Sequence, residues 1–321
     1  MPSYNGELKN SPLINCYRYY TTIMKINLGH IAAFSAYAIF GFNIIVCKNI
    51  ATSNYTSPMG IFCLRAIGAT ILFWFASLFA PSEKIDKKDY IKIFFASLLG
   101  LFITQITFLE AIAHITPFDC SIISTLTPIY TMFIAAIFIK EPITIQKVCG
   151  VLLSFFGILF LLYNGVRNES GTTEPIGVIL MLINGLSFSL YLGIFRPLIT
   201  KYSVVTFMKW MFLFSLLIAL PFSGKEIATI CYTTLPVQYI LELLYLIIFS
   251  TFIAYFLIPL SQKKIRPTLV GMYSYVQPII ATIMSIYLGL DTLSCPKILA
   301  AIAVITGVVI VNKSKSLANK G

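Results

Sequence analysis

Long apolar runs, separated by short polar connections, make up nearly the whole chain. Ten of these runs have the length that an α-helix needs to cross the hydrocarbon core of a bilayer, about 20 residues. They cover residues 28–48, 58–80, 91–113, 117–139, 144–164, 176–195, 203–222, 237–260, 267–289 and 296–312. The pattern predicts an all-α integral membrane protein with ten transmembrane helices, numbered below as spans one to ten.

The second half of the chain repeats features of the first half. Spans four and five align with spans nine and ten at an offset of 150 residues, and span one aligns with span six at 148. The aligned pairs are Pro117 and Pro267, Ser124 and Ser274, Pro128 and Pro278, Glu141 and Asp291, Lys147 and Lys297, Gly157 and Gly307, and Phe40 and Phe188. Since each half has an odd number of spans, the second half must insert upside down. We therefore predict two inverted five-helix repeats, over residues 28–164 and 176–312.

Composition agrees with a bilayer location. The chain is 58% hydrophobic and 11% charged, and its mean hydropathy is +0.88. One aqueous core cannot bury that much apolar surface, so lipid must cover the rest. The net charge of +11 would suggest nucleic-acid binding in a soluble protein. Here the basic residues lie in short connections between apolar runs, so we predict no nucleic-acid partner.

The basic residues also predict the orientation. With the N-terminus inside, 17 of the 23 Lys and Arg residues fall in cytoplasmic segments and 4 on the opposite side, while Arg65 and Lys209 lie within spans. This excess predicts a multi-pass protein of the plasma or bacterial inner membrane with both termini in the cytoplasm. Residues 1–27 are predicted to form a flexible cytoplasmic segment and residues 313–321 a basic cytoplasmic tail. Met24 is an alternative start to Met1.

Several short sequences recur in the two halves. The first half contains Ala111-Ile-Ala-His-Ile-Thr-Pro, Thr127-Pro-Ile-Tyr, Lys140-Glu-Pro-Ile-Thr and Gly150-Val-Leu-Leu-Ser-Phe-Phe-Gly157. The second contains Val276-Gln-Pro-Ile, Asp291-Thr-Leu-Ser and Thr306-Gly-Val. These sequences resemble the repeat of EamA-type proteins in the drug/metabolite transporter superfamily, although Asp291 stands where the family usually has Glu. The resemblance implies ten helices in two inverted halves around a central cavity, and transport of small metabolites such as amino acids. Nucleotide-sugar and phosphorylated-sugar carriers are among the more distant relatives.

Spans four and nine each have a small or polar face in an otherwise apolar helix. A proline inside each span frees the backbone carbonyl four residues earlier, and in lipid that carbonyl must face protein, water or a ligand. We predict hinges at Pro128 and Pro278. The predicted substrate-binding residues on these two spans are Ser121, Ser124, Thr125, Ser274 and Tyr275. Close helix packing through small residues is the alternative explanation.

Polar residues in the other spans extend the predicted site. Arg65 lies seven residues past Pro58, about 10 Å into the membrane. We predict that its guanidinium faces the bundle, in an ion pair or as a clamp on an anionic group. For Lys209, which enters from the other side, we expect the ammonium to reach back to the interface. The remaining predicted binding residues, which could also hydrogen-bond one another, are Asn43, Gln105, Asn184, Tyr191, Tyr255 and Gln277.

Carboxylates and metal-binding residue types add little chemistry. Glu110 is the candidate for proton coupling, and pairing with His114 is the alternative. Glu141 and Asp291 precede helices and are predicted to be structural caps. The seven cysteines are scattered and there are two histidines, so we predict no metal and no cofactor. No catalytic set and no phosphate-binding loop for ATP are recognisable, so the chain is predicted not to be an enzyme.

Together these features predict a secondary active transporter, and specifically an exporter of small metabolites such as amino acids or amines, working by alternating access. The predicted partners are a small-molecule substrate, protons, the lipid bilayer and a second copy in a homodimer. Two alternatives remain. One is a carrier of phosphorylated or nucleotide-linked sugars, with Arg65, Lys209 and Arg196 as anion partners. The other is a lipid-handling membrane protein without transport activity.

Overall fold

The computed structural model describes residues 12–53, 55–115, 120, 123–165, 174–229, 235–287 and 295–314. These residues are almost entirely helical and contain no strand. Six described helices are long and apolar enough to cross a membrane: Asn27–Ala51, Pro58–Ser77, Lys87–His114, Pro175–Ile194, Val204–Lys225 and Val237–Gln262. They coincide with predicted spans one, two, three, six, seven and eight. Shorter apolar helices at Thr127–Phe138, Ile145–Gly157 and Ile302–Val311 lie in spans four, five and ten. The all-helical membrane class is confirmed, whereas the count of ten spans stays a prediction.

The helices follow one another with short connections. The first half contains α1 (Pro12–Ser53), α2 (Pro58–Ser77), α3 (Lys87–Ser97), α4 (Thr104–His114), α5 (Thr127–Phe138) and α6 (Ile145–Gly165). The second half contains α7 (Pro175–Ile194), α8 (Arg196–Lys201), α9 (Val204–Thr229), α10 (Val237–Tyr245), α11 (Ala254–Gln262), α12 (Pro267–Met272), α13 (Val276–Tyr287) and α14 (Cys295–Lys313). Ser121 and Asp291 lie outside the described residues.

Several helices start where the sequence places proline. Pro58 begins α2, and the side chain of Ser57 caps it by accepting a hydrogen bond from the Gly60 N–H at 3.0 Å. The first helix, α1, begins at Pro12, ahead of the apolar run that starts at residue 28. The flexibility of residues 1–27 stays a prediction. A helix satisfies its own backbone hydrogen bonds, so it can continue beyond its apolar part.

Spans three and eight are each interrupted by a π-helical segment. One covers Leu98–Ile103 between α3 and α4, and the other covers Leu246–Ile253 between α10 and α11. A hydroxyl five residues along the chain satisfies a carbonyl in each: Thr104 Oγ1 donates to Leu99 O at 2.7 Å and Thr251 Oγ1 donates to Leu246 O at 2.6 Å. Segments of this kind often occur at functional sites.

Spans four and nine are broken rather than kinked. In span four a turn at residues 125–126 precedes α5, and Pro128 is the second residue of that helix. In span nine a 3₁₀ turn, Tyr273–Tyr275, separates α12 from α13, and Pro278 lies in the first turn of α13. Each proline thus stands where a helix restarts, because the first turn tolerates a residue without an N–H. The predicted kinks within continuous helices are replaced by two matching breaks.

Contacts between the two halves occur in matching pairs, in which each half takes the role that the other half has in the first contact. The packing of α4 on α7 is matched by that of α11 on α1, and the packing of α5 on α7 is matched by that of α13 on α1. Two further contacts, α2 with α9 and α6 with α14, each join a helix to its own equivalent, and the contact of α5 with α12 joins spans four and nine. The two halves are therefore built alike and pack around a common centre.

Large apolar side chains also cover the outer surface. Leu78, Phe79 and Phe222 have 76%, 78% and 70% of their surface exposed. A soluble monomer rarely exposes apolar side chains on this scale, whereas the hydrocarbon core of a bilayer accommodates them. The exposed apolar surface is accordingly the lipid-facing surface.

Candidate functional site

A cavity of about 80 Å³ lies among helices of both halves. This volume has room for on the order of five water molecules, or for part of a small solute. Its wall is formed by Tyr37, Phe40, Asn43, Ile44, Arg65, Thr104, Gln105, Phe108, Ser124, Thr127, Asn184, Phe188, Tyr255, Ser274 and Gln277. Aromatic rings and uncharged polar groups predominate in this wall, which we call the central cavity wall.

Equivalent positions of the two halves meet in the central cavity wall. Four pairs contribute both members, with an offset of 148 for the first pair and 150 for the others: Phe40 and Phe188, Gln105 and Tyr255, Ser124 and Ser274, and Thr127 and Gln277. The last two pairs lie at the breaks in spans four and nine. The cavity is thus placed between the two halves, with ten described wall residues from the first half and five from the second. A movement of one half against the other would change its exposure.

Arg65 is the one cation of the described cavity wall. It lies on α2 and is 1% exposed. Its Nε donates to Thr251 Oγ1 at 2.8 Å, and its Nη2 donates to Ser250 Oγ at 3.2 Å. Both hydroxyls belong to the π-helical segment of the second half. The guanidinium of the first half is thus positioned by the second half.

Asn43 extends this contact to α1. Its Oδ1 accepts a hydrogen bond from Ser250 Oγ at 2.6 Å, so Ser250 links the amide to Arg65. On the other side of the cavity, Asn184 Nδ2 donates to the Thr104 carbonyl at 2.6 Å. In each half, therefore, an asparagine side chain on the first spanning helix forms a hydrogen bond with the π-interrupted span of the opposite half. Buried networks of this kind rigidify the groups around a site.

Three polar atoms of cavity-wall residues have no hydrogen-bond partner among the residues that the structure describes. They are Arg65 Nη1, the Tyr37 hydroxyl and Ser274 Oγ, and all three are buried. Buried polar atoms in native proteins are normally paired, and the described residues supply no partner for these three. The described wall residues include no Asp and no Glu.

The structure brings most of the sequence-predicted binding residues together. Those in the central cavity wall are Asn43, Arg65, Gln105, Ser124, Asn184, Tyr255, Ser274 and Gln277. Pro128 and Pro278 each follow a wall residue, Thr127 and Gln277. Glu110, the coupling candidate, is half-buried on α4 and is not in the described wall.

Three predicted binding residues are buried in helix packing instead. Thr125 is in the turn that precedes α5. The ring of Tyr191 packs on Gly100, where a Cβ would lie 2.6 Å from the ring. The hydroxyl of Tyr275 donates to the Val151 carbonyl at 3.4 Å, and so it reaches α6 rather than the cavity. The predictions for Thr125 and Tyr275 assumed unbroken helices, and the breaks in spans four and nine change the direction in which these side chains point. Tyr191 lies on the continuous helix α7 and faces the π-helical segment that contains Gly100.

Sequence reasoning missed several wall residues. They are Tyr37, Phe40, Ile44, Thr104, Phe108, Thr127 and Phe188. Aromatic and aliphatic side chains in spans resemble lipid-facing or packing residues, so hydropathy does not single them out. The repeat offered a signal for three of them, because Phe40 and Phe188 align and Thr127 aligns with Gln277.

Other predicted pairings are corrected by the contacts. Pairing with His114 was the alternative role predicted for Glu110. In the structure, His114 Nδ1 lies 2.9 Å from a carboxylate oxygen of Glu174. Glu141 forms an ion pair with Lys147 at 2.7 Å. The predicted cap of α6 is supplied instead by Thr144, whose Oγ1 accepts from the Lys147 N–H at 3.3 Å. Distances across connections, which the sequence does not contain, decide these pairings.

The other two cations considered as anion partners lie elsewhere. Lys209 Nζ is 5.1 Å from the centroid of the Trp74 ring. The side chain of Arg196 donates to the carbonyls of Gln262 and Ile265, each at 3.4 Å. Neither residue is in the central cavity wall.

Comparison with known families identifies the repeats. The sequence model of the EamA-like transporter family matches residues 27–163 and 175–313, which together are most of the chain. The boundary between the two matches falls between spans five and six.

Individual relatives are more distant. An uncharacterized transporter of Archaeoglobus fulgidus is 26% identical over 153 residues, which are 48% of this chain and 52% of that protein. The chain thus spans about half the length of that relative. The uncharacterized transporter YetK of Bacillus subtilis is 23% identical over 270 residues, 82% of this chain and 80% of YetK. A solved structure titled "Crystal structure of protein" has a TM-score of 0.64 at 18% identity, covers 86% of this chain and 96% of its own, and shows likeness of fold.

Proposed function

The chain belongs to the EamA-like transporter family, and we propose that it is a secondary active transporter that exports small metabolites, such as amino acids or amines, by alternating access. The observation that carries the proposal is the central cavity, whose wall takes equivalent residues from both halves. A cavity at the interface of two repeats is the usual place for the substrate of a secondary transporter.

The proposed architecture is ten spans in two inverted repeats, with both termini in the cytoplasm. The exchange of helix contacts between the halves supports the repeat relation. The excess of basic residues on one side supports the orientation. The proposed first repeat covers residues 28–164 and the second covers residues 176–312.

In the proposed cycle the halves rock about the interrupted helices. Pro128 and Pro278 act as hinges, because each follows a break at which the helix is not continuous. Ser124, Thr127, Ser274 and Gln277 sit at these breaks and would move with them. Interrupted helices at a central site are typical of transporters in which backbone groups and side chains bind the solute.

The wall favours a small amphipathic solute. Tyr37, Phe40 and Tyr255 form one aromatic group, with ring centroids 5.9 Å apart for the first two and 5.5 Å apart for the last two. Amide and hydroxyl groups line the rest. A nucleotide-linked or phosphorylated sugar would need several cations, and Lys209 and Arg196 lie outside the wall. A lipid-handling protein would not need the polar groups that this cavity contains.

Counterflow in proteoliposomes tests the proposal. The panel contains amino acids, amines and sugar phosphates, and empty liposomes are the background. We expect uptake of at least one class, and we expect Ser124→Leu and Gln277→Leu to abolish it by filling the cavity. Ser77→Leu, which places the same side chain at the C-terminal end of α2, away from the cavity wall, is the matched control. Uptake that survives both cavity variants, or absence of uptake by folded protein, would contradict the proposal.

Proton coupling through Glu110 is a separate part of the proposal. Since Glu110 is outside the described cavity wall, Glu110→Gln should retain counterflow, which needs no coupling ion. Uptake driven by a pH gradient should be lost in the same variant if this carboxylate carries the proton. Unchanged gradient-driven uptake would remove Glu110 from the mechanism.

A further inference from the structure

Arg65 presents an unbalanced charge in the membrane interior. Its guanidinium is protonated at any physiological pH and is almost completely buried. Among the described residues it has no ion-pair partner, and its hydrogen-bond acceptors are two neutral hydroxyls, on Ser250 and Thr251. A buried charge without a counter-ion is strongly unfavourable, and such residues in spans normally mark a functional site.

The free hydrogen-bonding groups around Arg65 suit an oxygen anion. Two of its three guanidinium nitrogens are used by the protein, and Nη1 is not. The Tyr37 hydroxyl and Ser274 Oγ are unpaired in the same wall, and both can donate. A carboxylate accepts several hydrogen bonds and carries one negative charge, so it would satisfy these donors and neutralise the guanidinium.

We propose that Arg65, with Tyr37 and Ser274, forms an anion-binding subsite that holds the carboxylate of the transported metabolite. The inference rests on the proposed transport function and narrows its substrate class. Within amino acids and amines, it selects solutes that keep a carboxylate, because a simple amine brings a second cation to a wall whose described residues include no Asp or Glu. The aromatic group of Tyr37, Phe40 and Tyr255 then receives the apolar part of the solute.

Because the described wall contains one cation, it also favours a carboxylate over a phosphate as the bound group. A phosphate monoester carries more than one negative charge near neutral pH. The described wall offers a single guanidinium, so the second charge would stay uncompensated in a low-dielectric site. The subsite therefore takes a monocarboxylate in preference to a phosphorylated solute.

The experiment compares three compounds that share one side chain: an amino acid, its amide and the amine without the carboxyl group. Each is tested for binding to the purified protein in nanodiscs. The probes are leucine, leucinamide and isoamylamine, with phenylalanine, phenylalaninamide and phenethylamine as a second series. Binding is measured by calorimetry and inorganic phosphate is used as a competitor. For wild type we expect at least one of the two acids to bind roughly tenfold or more tightly than its amide and its amine, since a hydrogen bond to a charged group is lost. We expect phosphate to compete weakly.

Substitution of Arg65 then tests its role. In Arg65→Gln the preference for acid over amide should disappear, while binding of the amide changes little. Arg65→Lys, which keeps the charge but loses the planar fork, should retain part of the preference. A merely structural role would lower the binding of acid and amide equally. That result, or a wild-type protein that binds amide and amine as well as acid, would overturn the subsite.

The wild-type series does not depend on any variant, so it remains decisive if Arg65→Gln fails to fold. Failure of the two proposals is also distinguishable. Acid-selective binding that is lost in Arg65→Gln, without counterflow of any solute, would retain the subsite and contradict transport. Counterflow of amines at the rate of amino acids would retain transport and contradict the subsite. Counterflow of sugar phosphates without counterflow of amino acids would also retain transport and contradict the subsite.

Discussion

Lys201 of the second half forms an ion pair with Asp89 of the first half, with Nζ 2.6 Å from Oδ2. The same ammonium is 2.5 Å from Asp86 Oδ2. The Tyr202 hydroxyl donates to Asp89 Oδ2 at 2.8 Å, and the Ser203 N–H donates to a Glu83 carboxylate oxygen at 2.8 Å. These contacts join the two halves at the end of the bundle that we propose to be cytoplasmic. Alternating access would require them to separate.

Replacing Lys201 should weaken this contact between halves. We expect Lys201→Met to lower the melting temperature by about 2 °C or more, whereas Lys201→Arg, which keeps the charge, should change it little. Thermal unfolding of the detergent-solubilised protein measures both. Equal melting temperatures for Lys201→Met and wild type would show that the ion pair does not hold the halves together.

The pH dependence of this contact has a definite sign. Hydrogen bonds to Asp86, Asp89 and Tyr202 raise the pKa of Lys201 above its ordinary value of 10.5. A raised pKa in the folded state means that the stabilisation is fully present below about pH 10.5 and is lost as the pH rises through the folded-state pKa. The difference in melting temperature between wild type and Lys201→Met should therefore be constant from about pH 7 to about pH 9. A difference that shrinks within that interval would contradict this assignment.

The buried pair of Glu141 and Lys147 predicts a larger effect. Lys147 is 1% exposed, its Nζ is 2.7 Å from Glu141 Oε1, and it donates to the Pro142 carbonyl at 2.6 Å. Glu141→Gln leaves the ammonium buried without its counter-ion, which costs about 3–5 kcal/mol of unfolding free energy. Glu141→Gln combined with Lys147→Met should recover much of that loss. Denaturant unfolding of the three proteins measures it, and a double variant as unstable as the single one would refute the pairing.

Close approach of α6 and α14 makes Gly150 sensitive to substitution. A Cβ at Gly150 would lie 2.7 Å from the Gly307 carbonyl oxygen and 2.6 Å from Val311 Cγ2. Since one of these neighbours is backbone, Gly150→Ala should destabilise the protein by about 1–3 kcal/mol. Gly224→Ala is the control, because the nearest atom to its Cβ is 3.9 Å away. There the better helix propensity of alanine should stabilise by up to about 1 kcal/mol. The same sign for both variants would contradict the packing argument.

The symmetry of the cavity predicts equivalent effects for Phe40 and Phe188. Both rings line the cavity from matching positions of the two halves. Phe40→Ala and Phe188→Ala should each admit bulkier solutes and raise the half-saturating concentration of the small ones, by factors that agree within about threefold. Competition in the counterflow assay measures this. Phe75→Ala, on the outer surface, is the control and should leave both concentrations unchanged. Opposite effects of the two cavity variants would show that the halves contribute unequally.

The sequence determined the general character of this protein. Hydropathy is a property of each segment, so the apolar runs located the membrane-crossing helices without knowledge of their neighbours. Repeated residues such as Ser124 and Ser274 identified the two halves, and polar residues such as Asn43, Arg65 and Gln105 were selected because they are expensive to place in lipid. Because polar side chains are costly in lipid, these residues line the cavity and do not face the hydrocarbon.

Tertiary structure decided how the helices are turned and which groups meet. The break at residues 273–275 changes the helical phase, so Tyr275 packs between helices. Thr104 and Thr127 each follow an interruption and reach the cavity. Tyr191 lies on the continuous helix α7 and packs on the π-helical segment at Gly100. The contacts of Arg65 with Ser250 and Thr251, and the pairing of Lys201 with Asp89, join residues more than a hundred positions apart. Periodicity reports only on neighbours within a helix, whereas contacts between helices are set by the packing of the whole bundle.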